Sequence, residues 1–156
     1  MRLTNNWTLE ELTFSDYAVR HGIDNTPPTW AINNLNALAV HSLQSLSDLA
    51  GHPIISHSGY RCPQLNQIIG GVTAYFSDGT VDWGKTSQHV KGEAADIVCP
   101  AMSLDDLFNL AAKNVPFDQL IFEGTWIHIS YSQPCRGQMM TATFIDGVAH
   151  YTPRFV

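Results

Sequence analysis

No run of apolar residues in the chain approaches the roughly 20 that a helix needs to cross a bilayer, so no membrane-spanning segment is expected. Basic residues are scarce, eight against fourteen acidic ones. The formal net charge of -6 leaves no patch that would track a phosphate backbone, and nucleic acid is not an expected partner. Cysteine is also sparse: Cys62, Cys99 and Cys135 lie far apart with no Cys-x-x-Cys pair, which argues against a Cys-rich metal site and against a disulfide framework. The odd count fits synthesis in the cytoplasm. The opening Met1 to Trp7 lacks the apolar stretch of a signal peptide, so any action outside the cell is expected to depend on another route of export.

What is present suffices for one sizeable core: 156 residues, 44% of them from the hydrophobic set, predict a single domain over 1–156. Thr8, with Glu11 three residues on, reads as a capping box opening a short helix. After the turn formers Asp24 to Pro28, the residues Ile32, Leu35, Leu38, Ala39, Leu46 and Leu49 recur at helical spacing until Gly51 and Pro53 stop the pattern. Shorter helices are predicted from Pro63 to Gly70 and from the cap Ser103 toward Asn114. Strands are expected at 53–58, 94–99, 117–123, 126–131 and 141–151, the last broken into a hairpin by Asp146-Gly147. Helices first and hairpins last predict an α+β domain, a mainly antiparallel sheet flanked by helices. Val72 to Thr86 is polar and without periodicity, a long surface loop and a candidate flap over substrate.

Two segments carry chemistry. His89 and Asp96 are seven residues apart; a straight helix would separate them by about 10 Å, too far for one ion with ligand bonds of about 2 Å. A turn at Gly92 brings a loop histidine and a strand aspartate together. The third ligand candidate is His128. A two-residue turn at Gly124-Thr125 sets Glu123 opposite Trp126 and Ile121 opposite His128, which makes Glu123 and His128 diagonal neighbours on one face, roughly 7 Å apart. One more loop residue would send the two side chains to opposite faces. Two histidines and a carboxylate leave zinc a fourth, open position, the pattern of a catalytic site in which the ion acidifies a water and a nearby base, here Glu123, takes its proton. Arg61 has the fork geometry to bind a carboxylate or a developing oxyanion, or alternatively to hold a loop through an acidic partner. Trp126 reads as a wall of the pocket or as packing, and Lys91 and Glu93 as solvated loop charges. His21, His41, His52, His57 and His150 are assigned no chemistry.

The combination resembles a known family. Ser58-Gly59-Tyr60-Arg61, Asn66 with Gly70-Gly71, Ser-x-His-x-x-Gly-x-Ala-x-Asp over Ser87 to Asp96, and Glu-x-x-Trp-x-His over Glu123 to His128 are similar to the zinc D-Ala-D-Ala carboxypeptidases and peptidoglycan endopeptidases, whose fold resembles the hedgehog signalling domain. The opening Leu9 to Pro28 resembles the stand-alone, often phage-encoded branch. The resemblance implies zinc held by His89, Asp96 and His128, Arg61 on the substrate or its transition state, and Ser87 supporting the site; Glu123 as base, and Ser87 and Trp126 as substrate contacts, are expected from the residues themselves. It also implies a monomer acting on peptidoglycan stem peptides, released to the wall by phage lysis. Two positions depart from the pattern. Several members carry the catalytic carboxylate three residues before the last histidine, where this chain has Thr125, and the 72–86 loop is longer than the usual connection. A carboxypeptidase or dipeptidase acting on free precursors, and a zinc domain with only a structural metal, are the alternative readings.

Overall fold

The computed structural model describes residues 1–156. The helix caps expected at Thr8 and Ser103 both form. Thr8 and Glu11 form both halves of a capping box ahead of α1 (Leu9–Thr13), and Ser15 caps a further short helix, α2 (Asp16–His21), that ends on the left-handed Gly22. The long amphipathic stretch is α3 (Thr29–Leu38), a π-helical turn (Ala39–Leu43) and α4 (Gln44–Ala50), closed by Gly51 at φ 65°. The π turn inserts one residue, about 100° of rotation, and so shifts the buried stripe. Beyond it Leu43, Leu46, Ser47 and Ala50 face the core, while Leu49, expected on that face, is 51% exposed. Pro63 opens α5 (Pro63–Ile68), Ser87 caps α6 (Gln88–Lys91), and Ser103 caps α7 (Leu104–Asn114), which buries Leu107, Phe108 and Ala111.

Six strands form one sheet: β1 (Ile55–Ser58), β2 (Ala94–Val98), β3 (Gln119–Phe122), β4 (Ile127–Ser130), β5 (Gln138–Ile145) and β6 (Val148–Pro153), in the order β1-β2-β4-β3-β5-β6. Every pairing is antiparallel except β3 with β5, so the fold is α+β with a mainly antiparallel sheet, as expected. The β5–β6 hairpin turns on Asp146 and Gly147, both with positive φ. Because side chains alternate along a strand, the two sheet faces have separate duties. Ala95, Ile97, Leu120, Ile127 and Ile129, all fully buried, join α3, α4 and α7 in the hydrophobic core. The alternate positions Asp96, Ile121 and His128 lie on the opposite face.

The 72–86 segment is more ordered than its composition suggests. A bridge between Tyr75 and Val81 and the Phe76 N to Thr80 O bond of 2.8 Å make it a short stem with a turn. Its root is tied by the buried Asn66, whose amide donates to the Val72 carbonyl at 3.0 Å and to Thr73 Oγ1 at 2.9 Å. Near its end Trp83 meets the Trp30 ring edge to face at 5.1 Å.

Candidate metal centre

His89 reaches the site from the first turn of α6. Its Nδ1 lies 2.7 Å from the Gly59 carbonyl, which can only accept, so Nδ1 carries the proton and Nε2 offers a lone pair inward. The left-handed Gly92, at φ 71°, then reverses the chain into β2 and delivers Asp96, the turn that the seven-residue spacing requires. A side chain at Gly92 would meet the Ala31 carbonyl at 2.5 Å, and one at Gly59 the Leu12 carbonyl at 2.2 Å, so both positions are closed to anything larger. His128 stands opposite Asp96 in the β2–β4 register and opposite Ile121 in the β3–β4 register.

The three donor atoms form a nearly equilateral triangle. Asp96 Oδ1 lies 3.1 Å from His128 Nδ1 and 3.2 Å from His89 Nε2, and the two nitrogens are 3.2 Å apart. Ligands on a tetrahedral zinc at about 2.0 Å stand about 3.3 Å from one another, so the edges have zinc dimensions. All three residues are buried, 3% to 8% exposed. Burial opposes ionisation of Asp96, but the charges and hydrogen bonds of the two histidines outweigh it and hold its carboxyl far below the usual range. His89 is pushed down chiefly by burial, against the pull of Asp96, which favours the neutral, ligating form.

Around the triangle stand the other expected residues. Arg61 Nη2 donates to the second Asp96 oxygen at 2.7 Å and Nε donates to Ser58 Oγ at 2.7 Å, so the guanidinium braces the metal-facing carboxylate. Ser87 accepts the His89 backbone N–H at 3.3 Å, which holds the first turn of α6. The Gly124-Thr125 turn has the expected register, with the Glu123 amide on the Trp126 carbonyl at 3.1 Å. Glu123 therefore shares a face with Ile121 and His128. The Trp126 indole donates to Glu123 Oε2 at 2.8 Å, a contact beyond the wall or packing role read from the sequence. Burial first, and the Asp96 charge second, push the Glu123 carboxyl up; His128, the indole bond and Arg61 pull the other way. Thr125, three residues before His128, is exposed at the turn.

Several supporting residues escaped the sequence reading. Asn25 donates to the carbonyls of Thr13 at 2.9 Å and Tyr60 at 3.2 Å and accepts the Cys62 amide at 2.7 Å, clamping the segment that carries Arg61. Asp118, buried ahead of β3, receives Arg136 through Nε at 2.9 Å and Nη2 at 2.6 Å, and also the Gln88 amide from α6 at 2.9 Å. Asp24-Asn25 hints at the first through its turn-forming composition; nothing local announces the second. Lys91 and Glu93, read as solvated charges, pair at 3.2 Å with side chains only 24% and 18% exposed. The histidines assigned no chemistry stay outside the triangle. His41 stacks on Tyr131 and His21 on Tyr17.

Two histidines and an aspartate at zinc spacing, with a half-buried carboxylate on the same sheet face, define a metal-dependent hydrolase site of the peptidase kind. The chain belongs to the peptidase M15 family, whose model matches residues 5–130 and so takes in all three donors, Arg61 and Glu123. No curated protein matches the chain. Peptidases of this family are typically zinc-dependent, and the donor set fits that ion.

Proposed function

We propose that this metallopeptidase hydrolyses a peptide bond in the stem peptides of bacterial peptidoglycan, as a wall-degrading, endolysin-like enzyme. The observation that carries the chemistry is the convergence of a zinc-sized donor triangle and a raised, half-buried carboxylate on one sheet face. Zinc bound at His89, Asp96 and His128 supplies Lewis-acid polarisation and a more acidic water. Glu123, whose pKa is raised by burial and by the nearby Asp96 charge, accepts the proton from the attacking water and passes it to the leaving amine. The Trp126 indole fixes the orientation of that carboxylate. Arg61 keeps one face of its fork on Asp96 and Ser58, and its remaining donors are suited to a substrate carboxylate or oxyanion. Ser87 holds the first turn of α6, and with it His89, at the substrate side.

Mass analysis of purified peptidoglycan digested with the zinc-loaded protein tests the reading, with chelator and Glu123→Gln as controls. New amino termini in the stem or cross-bridge, lost in both controls, are expected. Unchanged muropeptides would rule it out, and release of D-Ala alone would make the enzyme a carboxypeptidase.

A further inference from the structure

Behind α6, away from the metal, lies a cavity of about 380 Å³ lined by Trp30, Asn34, Trp83, Lys91 and Glu93. Lys91 follows His89 by two residues, roughly 200° around the helix, so the cavity opens on the opposite side of the turn that presents the metal ligand. The two indoles are half-exposed, 43% and 42%, and stand edge to face. Beside them Lys91 and Glu93 pair at 3.2 Å, and Asn34 spends its amide nitrogen on the Lys91 carbonyl at 2.8 Å.

We propose that this cavity is a subsite for one amino-sugar ring of the glycan to which the stem peptide is attached. Its occupant rests on the cell-wall reading above, and the chemistry of the lining selects it. A purely apolar ligand would desolvate the Lys91–Glu93 pair without replacing its hydrogen bonds, which is costly. A phosphate would meet the Glu93 carboxylate. A pyranose presents an apolar C–H face to an indole and a rim of hydroxyls that both donate and accept, which satisfies the rings, the ammonium and the carboxylate together. The separation is also suitable. A helix with its side chains is about 10 Å across, a span that about three extended residues cover, so a sugar behind α6 and a stem-peptide bond at the metal belong to one molecule. Trp83 ties the subsite to the 72–86 stem, which sits over this side of the fold through its contact with Trp30.

The test uses a peptide-free tetrasaccharide of N-acetylglucosamine, titrated into the full chain and followed by tryptophan fluorescence and by saturation-transfer NMR. Saturable binding is expected, weakened roughly tenfold or more by Trp30→Ala and by Trp83→Ala, each checked for native fold by circular dichroism. Trp83→Phe, which keeps an aromatic face, is expected to bind within about threefold of the parent. No saturable binding by the parent, or equal binding by both alanine variants, overturns the proposal. So does saturation of these tryptophans by a sugar-free stem peptide in place of the saccharide. Because the probe has no stem-peptide bond, the result is independent of cleavage. Sugar binding without hydrolysis refutes the enzyme reading alone, and hydrolysis without sugar binding refutes the subsite alone.

Discussion

Glu123 and Trp126 give the sharpest tests at the level of single side chains. Glu123→Gln keeps the shape and removes the base, so kcat is expected to fall about 10²- to 10⁴-fold while zinc content by elemental analysis stays at the parental level. An unchanged kcat would move the base elsewhere. The indole bond favours the charged carboxylate, so Trp126→Phe raises the Glu123 pKa further. Activity that needs the ionised base is lost as pH falls through that pKa, and the acidic limb of the kcat/KM profile should therefore move to higher pH in Trp126→Phe. A shift the other way would show that the indole does not support the ionised form. The three donors and Glu123 were legible in the sequence because each is a residue type with a spacing that turn geometry could check. The His89 orientation was not legible, because a backbone carbonyl at residue 59 has no signature in the letters.

Among the elements, the decisive feature is how closely the turn after α6 approaches α3. Gly92 and Gly22 both have positive φ, but a Cβ at Gly22 meets nothing within 4 Å, whereas one at Gly92 strikes the Ala31 carbonyl. Gly22→Ala is expected to cost about 1 to 2 kcal/mol from its backbone conformation alone, and Gly92→Ala about 3 kcal/mol or more, read as urea midpoints. Gly92→Ala should also lower zinc affinity, since α6 must shift to make room. Equal costs would mean that the contact with α3 relaxes freely. The β3–β4 turn, in contrast, was readable beforehand: two residues between two strands fix which side chains share a face, and the register follows. The π turn at 39–43 was not, because its phase shift is imposed by packing and not by any breaker residue.

For the molecule as a whole, stability is expected to respond to zinc and to pH. The three donors come from α6, β2 and β4, so a zinc ion held there would join parts that are distant along the chain. Zinc at about 1,000 times its dissociation constant should stabilise by about 4 kcal/mol. For a chain of this length that is a Tm rise of about 10 °C, which His128→Ala is expected to abolish in calorimetry. Asp118, held by Arg136 and Gln88 against its burial, titrates at about 2 in the folded chain, below its ordinary 3.8. A depressed folded pKa means that its stabilisation is present above about pH 4 and is lost as pH falls toward 2. Asp118→Asn should accordingly lower the urea midpoint at pH 5 to 7 and narrow its difference from the parent between pH 4 and 2. A constant gap across that range would assign the loss to packing alone.

The sequence by itself determined the α+β class, the helix caps at Thr8 and Ser103, most strand positions, the donor set and the face shared by Glu123 and His128. These depend on local rules, such as capping chemistry, the two-residue period of a strand and the reach of a turn. Tertiary structure decided the rest: Arg61 onto Asp96 across 35 residues, Asp118 between Arg136 and Gln88, the parallel insertion of β5 beside β3, and Trp83 against Trp30. Contacts between distant segments depend on where a whole sheet and its helices come to rest. That placement is fixed by the burial of a shared apolar core, which specifies the volume to be filled and leaves no local mark on the polar residues it brings together.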